Sequence, residues 1–197
     1  MLVSVMAKPM RADARRNLEQ ILLAARDMVA ERGPDVPLDD IARRAGVGSA
    51  TLYRRFPDRD ALLRAVALDA LTRTAAVAKA AAEGERDPFQ ALARYLREAL
   101  ELRVSAVLPA LLDAVDPAND PVLSPVREES ARTIRRMISG AHAAGTLPEG
   151  VTFMDITTML VQISRPLPGP LPDAAKHALA RRHLELFIRG LRAMGPA

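Results

Sequence analysis

Between Pro37 and Pro57 the chain reads Leu-Asp-Asp-Ile-Ala-Arg-Arg-Ala-Gly-Val-Gly-Ser-Ala-Thr-Leu-Tyr-Arg-Arg-Phe. No other stretch limits the fold as much. Ile41, Ala42 and Ala45 give a first short helix one apolar side at helical spacing. Gly46 falls where that helix must stop, in the left-handed position that glycine occupies at least cost. Val47 is placed to plug the corner. Gly48 and Ser49 both suit the start of a second helix, which runs to Arg55 or Phe56 before Pro57 forbids continuation. Two helices this short do not stand alone in water, so others must brace them. A short, exposed, basic helix on a bracing scaffold is what a helix-turn-helix uses to enter a DNA groove.

The bracing elements must be helical too. Aromatic residues make up only 3% of the 197 and Trp is absent, so a core has to come from Leu, Ala, Val, Ile and Met. That composition favours helices over sheets. No alternating strand pattern and no internal repeat is found, and the expected fold class is all-α. The absence of cysteine excludes disulfides, thiolate nucleophiles and zinc–cysteine sites. The first ten residues have no basic leader ahead of a long apolar run, and no stretch approaches the roughly 18 apolar residues of a membrane span. A cytoplasmic protein without a membrane partner is expected. Met1, Met6 and Met10 are all admissible translation starts.

Charge is concentrated rather than large. From Ile41 to Arg59 the arginines 43, 44, 54, 55 and 59 stand against one acid, Asp58, whereas residues 61–197 carry 17 basic and 15 acidic groups. Positive charge gathered at one end of a near-neutral chain fits a polyanion docking there. Charge alone equally fits a solvated arginine-rich surface.

In chain order, residues 1–12 read as a disordered basic tail. An amphipathic helix follows over 13–32, with Leu18, Ile21, Leu22, Ala25, Met28 and Val29 on one side and Arg15, Arg16, Glu19, Arg26 and Arg32 on the other. The helix-turn-helix domain then closes at residue 58. Asp58 caps a long fourth helix to about residue 82, opening a second domain over 59–197. Further helices are expected at 88–107, 109–115, 124–144, 153–164 and 173–193, separated by Pro- and Gly-rich loops.

With that order in view, residues 15–66 resemble the N-terminal domain of the TetR family of bacterial transcriptional regulators. The matching stretches are Ile-Leu-Leu-Ala-Ala-Arg (21–26), Asp-Asp-Ile-Ala-Arg-Arg-Ala-Gly-Val (39–47), Thr-Leu-Tyr-Arg-Arg-Phe-Pro-Asp-Arg (51–59) and Ala-Leu-Leu (61–63). The ending Arg-His-Leu-Glu-Leu-Phe-Ile-Arg-Gly-Leu-Arg (182–192) looks like actinobacterial members, of an SbtR-like type. The resemblance implies a homodimer whose paired recognition helices read a palindromic operator in double-stranded DNA. It also implies an unknown small-molecule effector, bound in the C-terminal domain, that alters the spacing of those helices.

Carried onto this chain, the DNA-contact positions fall at Ser49, Ala50, Thr51, Tyr53, Arg54, Arg55 and Arg59. Helical geometry selects much the same set. Leu52 and Phe56 share an inward face, while Ala50, Thr51, Tyr53 and Arg54 project away from it. Arg54 suits a bidentate guanine contact, and Ala50 or the Thr51 methyl suits a thymine methyl. Tyr53, Arg55 and Arg59 suit phosphate oxygens, which position without specifying. Pro37 and Leu38 occupy the second helix's start, where many family members have hydroxyl residues, and Gly48 stands where many have Ser. Arg43 or Arg44 is then left to supply the missing phosphate contact, or to remain solvated surface.

Other candidates weigh less. Gly46-Val-Gly48 lacks the preceding strand and the Gly-Lys-Ser/Thr ending of a phosphate loop. His142, His177 and His183 have no paired metal-ligand spacing, so no metal and no cofactor is expected. Phe89, Tyr95, Met137, Met154 and Met159 are candidates to line an effector cavity or to be ordinary core. The helices at 153–164 and 173–193 are either buried within one chain or form a four-helix dimer interface; apolar residues on nearly all sides of the first favour the interface. No Ser–His–acid pattern, thiol or nucleotide loop is present, so an enzyme is not expected. The function expected is a ligand-responsive transcriptional regulator, most simply a repressor. Its rival is a helical protein-interaction module whose helix-turn-helix does not read DNA.

Overall fold

In the computed structural model, the residues described are 7–102, 111, 115–165, 167 and 169–193. Among them are eight helices and no strand, in the order α1 (Ala7–Arg32), α2 (Leu38–Arg44), α3 (Ser49–Arg55), α4 (Arg59–Gly84), α5 (Pro88–Glu101), α6 (Leu123–Ala143), α7 (Phe153–Ser164) and α8 (Asp173–Ala193). Most boundaries follow local chemistry. Gly33 stops α1 with φ +86°, its N–H bonded to the Val29 carbonyl at 2.9 Å. The Asp58 carboxylate accepts from the Ala61 N–H at 2.8 Å, and Asp87 accepts from the Phe89 N–H at 2.8 Å with Pro88 in the first turn. Thr152 and Asp155 form a reciprocal capping box at the start of α7.

Two boundaries differ from the sequence reading. α1 begins at Ala7, so residues 7–12 are helical rather than a disordered tail. Pro9 falls in the first turn, where its missing N–H breaks no helical bond. α5 is helical to Glu101; residues 103–110 and 112–114, on which the expected helix ends at 107 and 109–115 depend, lie outside the described residues. So does the tail at 1–6.

Two hydrophobic cores share α4. The lower one joins Ile21, Ala25, Ile41, Leu52 and Leu62 of α1–α4 to Leu111 and Leu123. The upper one joins Ala78 and Ala81 near the end of α4 to α5, α6, α7 and α8. Arg26, expected on the solvent side of α1, is buried, because α4 lies across that face. Its Nη1 lies 3.4 Å from Asp69 of α4, whose carboxylate also accepts from Arg73 at 2.9 Å. Farther along, Arg64 of α4 grips Asp120 with two hydrogen bonds, of 2.5 and 3.0 Å. Asp120 in turn accepts from the N–H groups of Val122 and Leu123, so one carboxylate ties α4 to the start of α6.

Candidate nucleic-acid interface and its companion cavity

The α2–α3 corner is closed by the backbone. Gly46, at φ +68°, sends its N–H to the Arg43 carbonyl at 3.2 Å, while Val47 sends its own to the Ala42 carbonyl at 3.0 Å. This pair of bonds is the Schellman closure of a helix end, and it turns the chain sharply into α3. Gly48 precedes α3 and Pro37 precedes α2, and neither start has a side-chain cap. α3 is held by Leu52, 0% exposed, and by Phe56 just beyond it, both in the lower core. With that face buried, Ser49, Ala50, Tyr53, Arg54 and Arg55 are exposed and Thr51 is half-exposed. Among the described residues, neither Arg54 nor Arg55 pairs with a carboxylate.

The flanking arginines are placed differently. Arg44 donates two hydrogen bonds of 2.9 Å to the Glu31 carboxylate, tying α2 to α1. Arg43 is exposed and pairs with Asp40 one turn back on its own helix. Arg59 donates to the Pro34 carbonyl at 2.7 Å and lies 3.6 Å from Asp35, so it pins the α1–α2 loop. Of the nine candidates, the six on α3 lie outside its buried Leu52 line, while Arg43, Arg44 and Arg59 have protein partners in the scaffold around it.

In the C-terminal half, a cavity of about 340 Å³ lies among α4, α5, α6 and α7. Leu71 and Thr74 enter from α4, Tyr95 from α5, and Ser130 and Ile134 from α6. α7 contributes Phe153, Met154, Thr157, Thr158, Leu160 and Val161. Tyr95 is buried, and that burial pushes its phenol far above the ordinary tyrosine value, leaving it neutral. Met154 is well exposed and marks the rim. Of the five residues named as cavity-lining candidates, Tyr95 and Met154 line it.

The other three candidates do not. Phe89 is packed in the upper core, with the Arg192 guanidinium 5.9 Å from its ring. Met137 faces a separate cleft between α4, α5 and α6 that carries Lys79, Glu83, Glu129 and Arg132. Met159 is exposed on α7, off the cavity wall. Residue type pointed to them, but the cavity is set by how α4, α6 and α7 meet.

Arg127 also lines the cavity and was not singled out from the sequence. A signal was available. Arg127, Ser130, Ala131 and Ile134 follow helical spacing, so one face of α6 carries a cation amid small and apolar residues. Among the described residues no cluster of three or more His, Asp or Glu side chains is arranged to hold a metal. His177 instead pairs with Glu101 at 3.1 Å, alongside Arg181. No described helix is long and apolar enough to cross a membrane.

Comparison with known proteins agrees with this architecture. Residues 21–66 match the description of bacterial regulatory proteins of the tetR family, and residues 87–193 match the C-terminal domain of SbtR-like transcriptional regulators. Over 70 residues the chain is 36% identical to the uncharacterised HTH-type transcriptional regulator YvdT of Bacillus subtilis, a match covering 35% of this chain. Over 54 residues it is 43% identical to the HTH-type transcriptional repressor LfrR of Mycolicibacterium smegmatis, covering 27% of this chain. These matches span 36% and 29% of the two relatives' lengths. The crystal structure of the TetR transcriptional regulator SCO0520 from Streptomyces coelicolor is 31% identical, with a TM-score of 0.61, over 91% of this chain and 99% of that one. LfrR in complex with proflavine shares the fold, with a TM-score of 0.69 at 24% identity, over 92% of this chain and 98% of that one. Two domain matches in the expected order, the second covering more than half the chain, show that the protein belongs to the TetR family of bacterial transcriptional regulators.

Proposed function

We propose that the protein is a homodimeric repressor working in the cytoplasm, that α3 of each subunit reads one half of a palindromic operator, and that an effector in the α4–α7 cavity releases it. The observation that carries this reading is the outward face of α3. Tyr53, Arg54 and Arg55 are exposed there, on a helix fixed by Leu52 and Phe56. A rigid helix with exposed arginines suits base and phosphate contact, because groups already positioned lose little entropy on binding.

Arg54 is assigned to a guanine, Ala50 and Thr51 to thymine methyls, and Ser49, Tyr53 and Arg55 to phosphates. Arg59 and Arg43 stand close enough in sequence to add phosphate contacts at the flanks, in competition with their protein partners. Arg44 acts as a brace, since it donates to both oxygens of the Glu31 carboxylate.

Pairing through α7 and α8 is supported by their surfaces. In α7 only Ile156 and Leu160 are buried, although most of the helix is apolar. Met159 of α7 and Leu186 of α8 remain exposed. A second copy would cover them and set the two α3 helices roughly 34 Å apart, the spacing of successive major grooves.

Fluorescence anisotropy with fragments from upstream of the protein's own gene tests the reading. Binding should weaken steeply with salt, in proportion to the phosphates neutralised. The Tyr53→Ala/Arg54→Ala double variant should fold normally and lose it. A reporter driven by the bound fragment should rise when the gene is deleted. Binding indifferent to salt, or unaffected by the double variant, overturns the proposal.

A further inference from the structure

Among the described residues, one side chain on the wall of the α4–α7 cavity carries a charge, and it is Arg127. The rest of the wall is apolar, apart from the hydroxyls of Thr74, Ser130, Thr157, Thr158 and buried Tyr95. Two of those hydroxyl protons are spent within their own helices. Thr74 donates to the Ala70 carbonyl at 2.9 Å and Thr157 to the Phe153 carbonyl at 2.9 Å. Arg127 is exposed at the mouth and pairs with no carboxylate among the described residues. In the same half of the chain, Arg94, Arg97 and Arg181 each hold a glutamate. Ser130, one turn along α6 on the same face, brings a further hydroxyl to that end.

We propose that the effector is an amphipathic monoanion, a carboxylate on a compact apolar body. The carboxylate pairs with Arg127, and the body lies against Leu71, Ile134, Phe153 and Leu160. This rests on the cavity being the effector site. A cationic ligand would find no Asp or Glu on the described wall, and a charge placed there would lose water without gaining a counter-charge. A neutral ligand would fill the apolar space but make no use of the guanidinium, whose planar fork matches a carboxylate. The neighbouring cleft shows what an unselective lining looks like. Lys79 there lies 3.9 Å from Glu83, and Glu129, Arg132 and Arg136 add both signs, so it favours neither. The volume of about 340 Å³ is at the small end of the range of on the order of 300–1,000 Å³ for small-molecule sites, which calls for a short, compact body.

Isothermal titration of the full-length protein with three matched probes, 4-butylbenzoate, 4-butylbenzyl alcohol and 4-butylbenzylamine, tests this. The expected order is carboxylate, then alcohol, then ammonium, with the carboxylate about tenfold tighter than the alcohol, as for one charge-assisted contact near solvent. Arg127→Gln should erase that tenfold preference and leave alcohol binding unchanged. Ala131→Phe should narrow the cavity and weaken all three. If the alcohol binds as tightly as the carboxylate, or Arg127→Gln keeps the preference, anion selection is overturned while the cavity stands as the effector site. If none binds, or binding survives Ala131→Phe unchanged, both proposals fall.

Discussion

The first turns of α4 and its middle are packed in opposite ways. Around its first turns, Leu62, Leu63, Val66 and Ala67 are buried against α1, α2 and α3. Around its middle, Leu71 and Thr74 face a cavity of about 340 Å³ bounded by α5, α6 and α7. A close-packed core transmits displacement because it has no void to absorb it, whereas a cavity gives a ligand something to change. One continuous helix therefore joins a close-packed region to one that borders a cavity. Arg64 strengthens the join, because its carboxylate partner Asp120 also fixes the start of α6, the helix that carries Arg127. A ligand pressing on Leu71 and Arg127 acts at once on two elements that meet just above the recognition unit.

That contrast breaks most directly at Leu52, which is fully buried and joins α3 to the lower core. Leu52→Ala should lower stability by about 2–5 kcal/mol, as large-to-small core changes do, with loss of DNA binding. Urea denaturation followed by circular dichroism measures it; a cost below about 1 kcal/mol would mean that α3 is not held by this core. Arg54→Ala sits at the other extreme of the same helix. It should leave the denaturation midpoint unchanged and weaken operator binding by about 1–3 kcal/mol, relaxing preference at one base pair. Anisotropy on operator variants reads both, and a uniform loss across sequences would reassign Arg54 to phosphate.

Gly46 isolates backbone strain from packing. A Cβ built there meets nothing within 4 Å, but φ is +68°. Gly46→Ala should therefore cost about 1–2 kcal/mol of stability from conformation alone, and Gly46→Asn less, since Asn tolerates the left-handed region. Equal costs for the two would point to a hidden steric clash.

The recognition unit was legible in the sequence because its determinants are local. Gly46 stops one helix, Pro57 ends the next, and Leu52 and Phe56 declare the buried face by spacing alone. α7 and α8 were equally legible, since Thr152 caps one and the proline-rich run through Pro172 leads into the other. What escaped depends on distant neighbours. Arg26 reads as solvent-facing until α4 covers it, and Arg44 reads as a phosphate contact or solvated surface, with no local sign of its two hydrogen bonds to Glu31, thirteen residues earlier. The cavity escaped most. Phe89, Met137 and Met159 have suitable chemistry, yet a cavity is the gap left between helices, and no local pattern encodes a gap. Arg127 carried a readable signal in its spacing with Ser130, Ala131 and Ile134, and among the described lining residues it is the one that bears a charge.

The smallest expected effect tests whether the upper core can be loosened without disturbing the lower one. Glu101, at the end of α5, accepts hydrogen bonds from Arg181 of α8 at 2.6 and 2.7 Å and lies 3.1 Å from His177. Chiefly through the Arg181 hydrogen bonds, its carboxyl is held down at about 2 in the folded state. A depressed carboxylate stabilises the fold above its unfolded value, near 4.5, and that contribution is lost as pH falls from there through about 2. Nearly half the side chain is exposed, so screening limits the effect to about 0.5 kcal/mol. Glu101→Gln should therefore be slightly less stable than the parent at pH 7, and the difference should shrink towards zero by about pH 2. Operator affinity at pH 7 should be unchanged, because α1–α3 and the Arg64–Asp120 bond lie outside this contact. Urea titrations of both proteins at pH 7, 4 and 2.5 give the comparison. A gap that widens in acid, or a loss of operator binding, would show that the α5–α8 clamp supports the recognition unit and that the two cores are not separable.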